Sequence, residues 1–166
     1  MTLASTLVEL DDTRADLIAL LDAMTPQQRA FSPSTGAWSA ESVAEHLLLT
    51  EDRLLNAIVD PPNLDPPVPG AIDDALAFLR SDARAETPPF LEPTERPYRD
   101  TRAELILLGA RWLEIAHDAS RADRAVFDHP LAGPLTLLDT VRFVEAHAGH
   151  HRYQLARIST APGYPS

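Results

Sequence analysis

Near its C-terminus the chain reads VEAHAGHHRYQL (144–155), placing three of its six histidines within five residues. A neutral imidazole is a good ligand for a divalent metal, and two of them four residues apart on a helix stack on one ridge, where they can share an ion. Helical geometry selects the pair. Taking ~100° per residue, His151 lies roughly 40° from the centre of the apolar stripe through Val144, Ala148 and Leu155, and His147 about 80° away on the same side. His150 points some ~140° away, toward Phe143 and Tyr153, and is expected to be exposed or to face a partner. A third ligand is available upstream. In WSAESVAEHLLLTEDR (38–53), His46 sits about 80° from the centre of the Val43/Leu47/Leu54 stripe, at its edge.

Three histidines leave at least one coordination position for water or substrate, the arrangement of catalytic rather than structural sites. The spacing has plainer readings too: HxxxH arises by chance in helices, and His46 alone reads as a satisfied core-edge histidine. The metal reading requires the ring of His46 to lie within about 6 Å of the other two, given coordination bonds of about 2 Å. Gln154 shares a side with His147 and either orients a ligand or packs. Arg14 occupies a stripe position, where it either holds an acidic group of the substrate at the bundle mouth or pairs with a carboxylate. Hydrolysis by a metal-bound water needs a nearby base. Glu45 points nearly opposite its stripe and Glu145 lies away from His147, so both read as surface carboxylates. His117 and His129 flank loops and read as solvated or capping groups.

Four long segments with helical periodicity must position these groups. The first, about 2–24, carries Leu3, Leu7, Leu10, Arg14, Leu17, Leu21 and Met24 on three- and four-residue steps. TPQQRAFSPSTGAW interrupts it. The second, about 39–59, opens on Ser39 as N-cap and carries Val43, Leu47, Leu54 and Ile58. The third, about 100–120, carries Leu105, Leu108, Trp112 and Ile115. The fourth, about 135–159, follows the turn HPLAGPL and carries Leu137, Val141, Val144, Ala148, Leu155 and Ile158. Trp38 is expected to pack as a staple before the second helix, Trp112 to be core, and Phe143 with Tyr153 to suit a dimer interface. Between the second and third helices, DPPNLDPPVPG and ETPPFLEPTERP hold nine of the fifteen prolines, which bars them from helix and central strand. A short helix is expected between them, within 71–86. With no convincing strand pair, the fold class is all-α.

At 166 residues the chain is expected to form one domain, 1–166, with a proper core. No apolar run approaches a membrane span, and the first residues lack a secretory pattern, so a cytoplasmic home is expected. The absence of cysteine removes thiolate ligands, disulfides and a cysteine nucleophile. A net charge of −11, with all fourteen basic residues arginine and none clustered, argues against nucleic acid and anionic membrane surfaces as partners. The position a three-histidine set leaves open suits a small-molecule substrate.

WSAESVAEHL, together with HPLAGPLTLLDTVRFVEAHAGHHRYQL, resembles the DinB-like (DinB/YfiT) family, in its branch with a Trp-led second helix, an HPxxGPLT entry turn and an HxxHHxxQ ending. The resemblance implies a four-helix bundle of up-down-down-up topology, frequent homodimers, and a divalent metal such as zinc or nickel. Carried over position by position, its ligands are His46, His147 and His151. It further implies a thiol-dependent transferase or isomerase using mycothiol, bacillithiol or glutathione, although family members without established activity leave a non-catalytic, stress-associated binding role open. The sulfur would come from a small cosubstrate, because the chain has none of its own to offer as a nucleophile. The proline-rich excursion at 61–99 exceeds what a minimal member needs, so substrate specificity does not transfer.

Overall fold

The computed structural model describes residues 2–59, 61, 63–81, 86–116, 124–130 and 132–166. Four long helices, α1 (Leu3–Asp22), α3 (Ala40–Val59), α5 (Tyr98–Ala116) and α6 (Leu137–Ser159), form the bundle. Shorter pieces decorate it: α2 (Pro26–Ala30), α4 (Asp73–Leu79), a 3-10 turn at Pro89–Leu91, and a hairpin of β1 (Ala125–His129) and β2 (Gly133–Thr136). α1 packs against α5 and α6, and α3 packs against the same two, so α1 and α3 stand on a diagonal.

Side-chain pairs give the directions. Asp22 meets Arg102 while Asp11 meets Gly109, so α5 runs opposite to α1. Thr13 meets Glu145 and Asp16 meets Arg152, so α6 runs with α1. Glu45 meets Arg96 and Asp52 meets Arg111, so α3 runs with α5. The order α1, α3, α5, α6 is up-down-down-up. The expected bundle is present.

Local chemistry explains the helix starts. Thr2 and Ser5 cap α1 reciprocally, and the Thr136 hydroxyl accepts the Asp139 N–H at 3.1 Å to open α6. Ser39 Oγ accepts from Ser42 N at 3.2 Å at the head of α3, and Val43 N bonds the Ser39 carbonyl. The stretch read as a plain interruption contains α2, because Thr25 and Gln28 form a capping box with Pro26 in the first turn. The stripe residues Leu10, Leu21, Val43, Leu47, Leu54, Leu108, Trp112, Val141, Val144 and Leu155 meet in the main core. Ile115 is only partly buried at its margin.

The expectation of no strand pair is overturned. Ala125–His129 and Gly133–Thr136 pair antiparallel, with Phe127 opposite Leu135, His129 opposite Gly133, and a bulge between Ala125 and Phe127. Strands this short carry too little alternation to register as a period, and their prolines and glycines read as a turn. Val126 and Leu135 are buried, so the hairpin is anchored rather than loose. A second small core joins Ile72, just before α4, and Leu76 and Leu79 of α4 to Leu135 and Ala146, covering the outer side of α6. α4 is the short helix expected between the proline-rich stretches, although residues 82–85 of that segment lie outside the described ones.

Candidate metal centre

His46, in the second turn of α3, meets His147 and His151 of α6. Ring centroids are 5.1 Å apart for His46–His147, 4.9 Å for His46–His151 and 4.5 Å for His147–His151, inside the 6 Å limit. The Nε2 atoms approach more closely: 3.2 Å from His46 to His147 and 3.1 Å from His151 to His147. Among the described residues, His46, His147 and His151 are the one group of three or more metal-ligating side chains close enough to hold a single ion.

The second contacts of each ring decide which nitrogen faces the others. A carbonyl can only accept, so His46 Nδ1 donates to the Leu91 carbonyl at 2.9 Å and its Nε2 carries a lone pair. His151 Nδ1 donates to Gln154 Oε1 at 2.7 Å, with the same result. His147 Nδ1 is sealed from solvent with no hydrogen-bond partner. Two lone pairs therefore face His147 Nε2, and one N–H cannot satisfy both. A dication satisfies all three. For metal–nitrogen bonds of about 2.0–2.1 Å in tetrahedral disposition, nitrogens are separated by about 3.3 Å, close to what the rings display. The donor set fits a divalent metal.

The electrostatics agree. Burial pulls the His46 pKa below its usual value despite the Leu91 contact, which raises it. Burial, reinforced by the neighbouring histidines 151, 46 and 150, holds His147 well below the usual range. Burial and the neighbouring His46 and His150 bring His151 down to about 3, against the opposing contact from Gln154. All three rings are neutral at physiological pH, the ligating form.

Walls surround the group. The Trp38 ring lies 4.8 Å from that of His46, so Trp38 touches the site as well as preceding α3. Phe143 stacks on His147 at 5.9 Å with an interplanar angle of 12°, and also meets His129 at 4.7 Å. It lines the site from the α6 side. Tyr153, by contrast, is 72% exposed.

Other candidates fall elsewhere. His150 is half-buried, with Nδ1 donating to the Leu79 carbonyl of α4 at 3.0 Å, because α4 covers the face that periodicity assigns to solvent or a partner. His129 is buried rather than solvated, though its Nδ1 does cap the hairpin turn by accepting Ala132 N–H at 3.1 Å. His117 lies outside the described residues. Arg14 is buried and committed to carboxylates, with Glu51 at 2.6 Å and Asp11 at 3.2 Å, which is the pairing alternative raised for it. Glu51 also accepts from Trp112 Nε1 at 3.0 Å, making a buried knot among α1, α3 and α5. Glu145 accepts from Thr13 on the α1 side at 3.4 Å.

Glu45 departs furthest from expectation. It is 2% exposed and accepts from Thr94 N at 2.9 Å, Thr94 Oγ1 at 2.6 Å and Arg96 N at 3.0 Å. Burial alone would raise its pKa, but these donors outweigh it and hold the carboxyl below its usual range. The proline-rich connection packs over the face opposite the stripe, which the periodicity of α3 cannot register.

Comparison with known proteins decides the family. The profile of the DinB superfamily matches residues 9–155. The chain belongs to the DinB superfamily. Two solved structures resemble this DinB-superfamily chain. TT2238, described as a four-helix bundle protein, is 24% identical with a TM-score of 0.61, over 93% of this chain and 99% of that one. YfiT from Bacillus subtilis, described as a probable metal-dependent hydrolase with an unusual four-helix bundle topology, is 19% identical with a TM-score of 0.63, over 98% of this chain and 89% of that one. At these identities the likeness establishes the fold alone. No curated protein matches the sequence. Among the described residues, no helix is long and apolar enough to cross a membrane.

Proposed function

We propose that this DinB-superfamily protein is a metal-dependent enzyme that transfers a low-molecular-weight thiol to an electrophilic small molecule. His46, His147 and His151 would hold zinc, nickel or a similar dication. The observation that carries this is the convergence of three neutral imidazole nitrogens with no carboxylate or thiolate in the set. Neutral ligands leave the ion's full positive charge to be met by an anionic donor, and a bound dication favours thiolate, the nucleophilic form, over thiol.

The chain's own residues account for the rest. Leu91 and Gln154 fix two ring orientations. Trp38 and Phe143 line the site with aromatic surface, which strengthens electrostatic interactions there. Both carboxylates beside the ligands in sequence are engaged elsewhere, Glu45 by Thr94 and Arg96 and Glu145 by Thr13. That favours a nucleophile whose proton loss does not depend on a carboxylate base. With no cysteine in the chain, the sulfur must be a cosubstrate's.

Hydrolysis is the second reading, favoured by the description of YfiT and by the same three-histidine set. Elemental analysis is expected to show one divalent metal per chain, lost in His147→Ala. The loaded protein would then be assayed with a panel of cellular thiols and a generic electrophile, and separately with esters and amides. Thiol-dependent turnover supports the transferase. Turnover of esters or amides without thiol replaces it with the hydrolase, and protein that binds no divalent metal ends both.

A further inference from the structure

Glu45 lies one residue before a ligand, is buried, and is spent entirely on holding a loop. Its carboxylate takes the N–H groups of Thr94 and Arg96 together with the Thr94 hydroxyl. Between those two residues Glu95 has φ 65°, the left-handed conformation that side chains rarely adopt. Successive N–H groups around a left-handed residue form a concave nest suited to an anion. Here the anion is the chain's own. A nest of this kind has no reason to form around Glu95 without a carboxylate to fill it, since the conformation is itself unfavourable.

The loop so held carries one group that reaches the histidines. Leu91, three residues before Thr94, offers its carbonyl to His46 Nδ1. Upstream of Leu91, Arg53 of α3 sits over the Phe90 ring at 4.2 Å. The acceptor for His46 is thus bracketed by two anchors, both returning to α3, of which the carboxylate supplies three directed bonds and the ring contact none.

From this geometry we infer that Glu45 is a positioning residue for the metal centre: by clamping Thr94–Arg96 it presents the Leu91 carbonyl to His46, which holds the proton on Nδ1 and turns the Nε2 lone pair toward His147 and His151. The inference rests on the metal reading for its consequence, although the clamp itself is a property of the metal-free chain. An imidazole released from its acceptor populates both tautomers, and the one protonated at Nε2 cannot ligate through that atom. Loss of such support typically lowers metal affinity 10–100-fold, and because Glu45 acts through a backbone carbonyl the expected loss in Glu45→Ala is about tenfold. Thr94→Val, which removes one of the three donors, is expected to cost a few-fold.

Two measurements on the full chain test it. Long-range 1H–15N spectra of the metal-free protein read the His46 tautomer, and competition with a chromogenic chelator reads Zn2+ affinity. The expected result is an Nδ1–H ring in the wild type, a mixture in Glu45→Ala, and an intermediate state in Thr94→Val, with Zn2+ affinity falling in the same order. General loss of stability would not redistribute a tautomer in protein that remains folded. An unchanged Nδ1–H ring in the variants, or affinities within twofold of wild type, overturns the inference. Where Glu45→Ala does not fold, Thr94→Val decides alone. A wild type that binds no Zn2+ removes the metal reading, and the tautomer measurement still decides the clamp.

Discussion

Acid should destabilise the metal-free protein well above the range in which carboxylates titrate. His147 and His151 are held neutral by burial, His151 down to about 3 and His147 well below its usual value. In the unfolded chain each returns to about 6.5. The unfolded state then binds more protons, so stability is fully present above the unfolded value and is lost as pH falls below it. Between pH 7.5 and 5.5, a histidine neutral throughout in the folded state loses about 1.4 kcal/mol, and the pair about 3 kcal/mol. His46 and His129, also lowered by burial, act in the same direction. The carboxyls of Asp22 and Glu45, held low in the fold, contribute stability that is lost only as pH falls through the carboxylate range, below this window. Urea denaturation in chelator at the two pH values measures the difference, and His151→Gln should remove about 1.4 kcal/mol of it. Added Zn2+ should steepen the dependence, since only neutral rings ligate. A difference under about 1 kcal/mol, or one untouched by His151→Gln, would refute the claim that these rings are buried uncharged.

Two further outcomes follow from buried and strained groups. Glu51→Leu leaves the buried Arg14 with only the exposed Asp11 as a carboxylate partner and strands the Trp112 N–H, and should cost about 3 kcal/mol in urea denaturation; adding Arg14→Met should recover the part due to the buried charge but not that of the Trp112 N–H. Glu95→Gly relieves the left-handed backbone at φ 65° and should raise stability by about 0.5–1 kcal/mol, read as a higher Tm, with no change in the His46 tautomer.

The residues facing the bundle axis were legible because a 3.6-residue period reports them directly. Val43, Leu47, Leu54 and Ile58 are buried, as are Leu105, Leu108 and Trp112. Arg14 shows how far that signal goes: its inward position was visible, but not its partner on another helix. Glu51 could have been found by the same rule. It fills the step between Leu47 and Leu54, and a carboxylate at a stripe position is the natural complement to an arginine at another. His46, His147 and His151 were selected at the stripe edges, and the structure brings their Nε2 atoms together.

What the sequence hid has one physical origin. Periodicity describes a helix's orientation to its own bundle and is blind to whatever is laid on the outside. Glu45, His150 and His129 were each assigned to solvent, a partner or a loop end, and each is covered by a piece of irregular chain: the connection around Thr94–Arg96, helix α4, and the β1–β2 hairpin. All three coverings lie beside the same three histidines, through Leu91 on His46, His150 against the ring of His151, and His129 with Phe143 against His147. The bundle supplies the ligands, the Gln154 partner of His151 and the Phe143 wall, while an outer layer of connections adds the Leu91 partner of His46 and covers His150 and His129. In a chain whose bundle resembles solved structures at 24% and 19% identity, that outer layer is where its own specificity is to be sought.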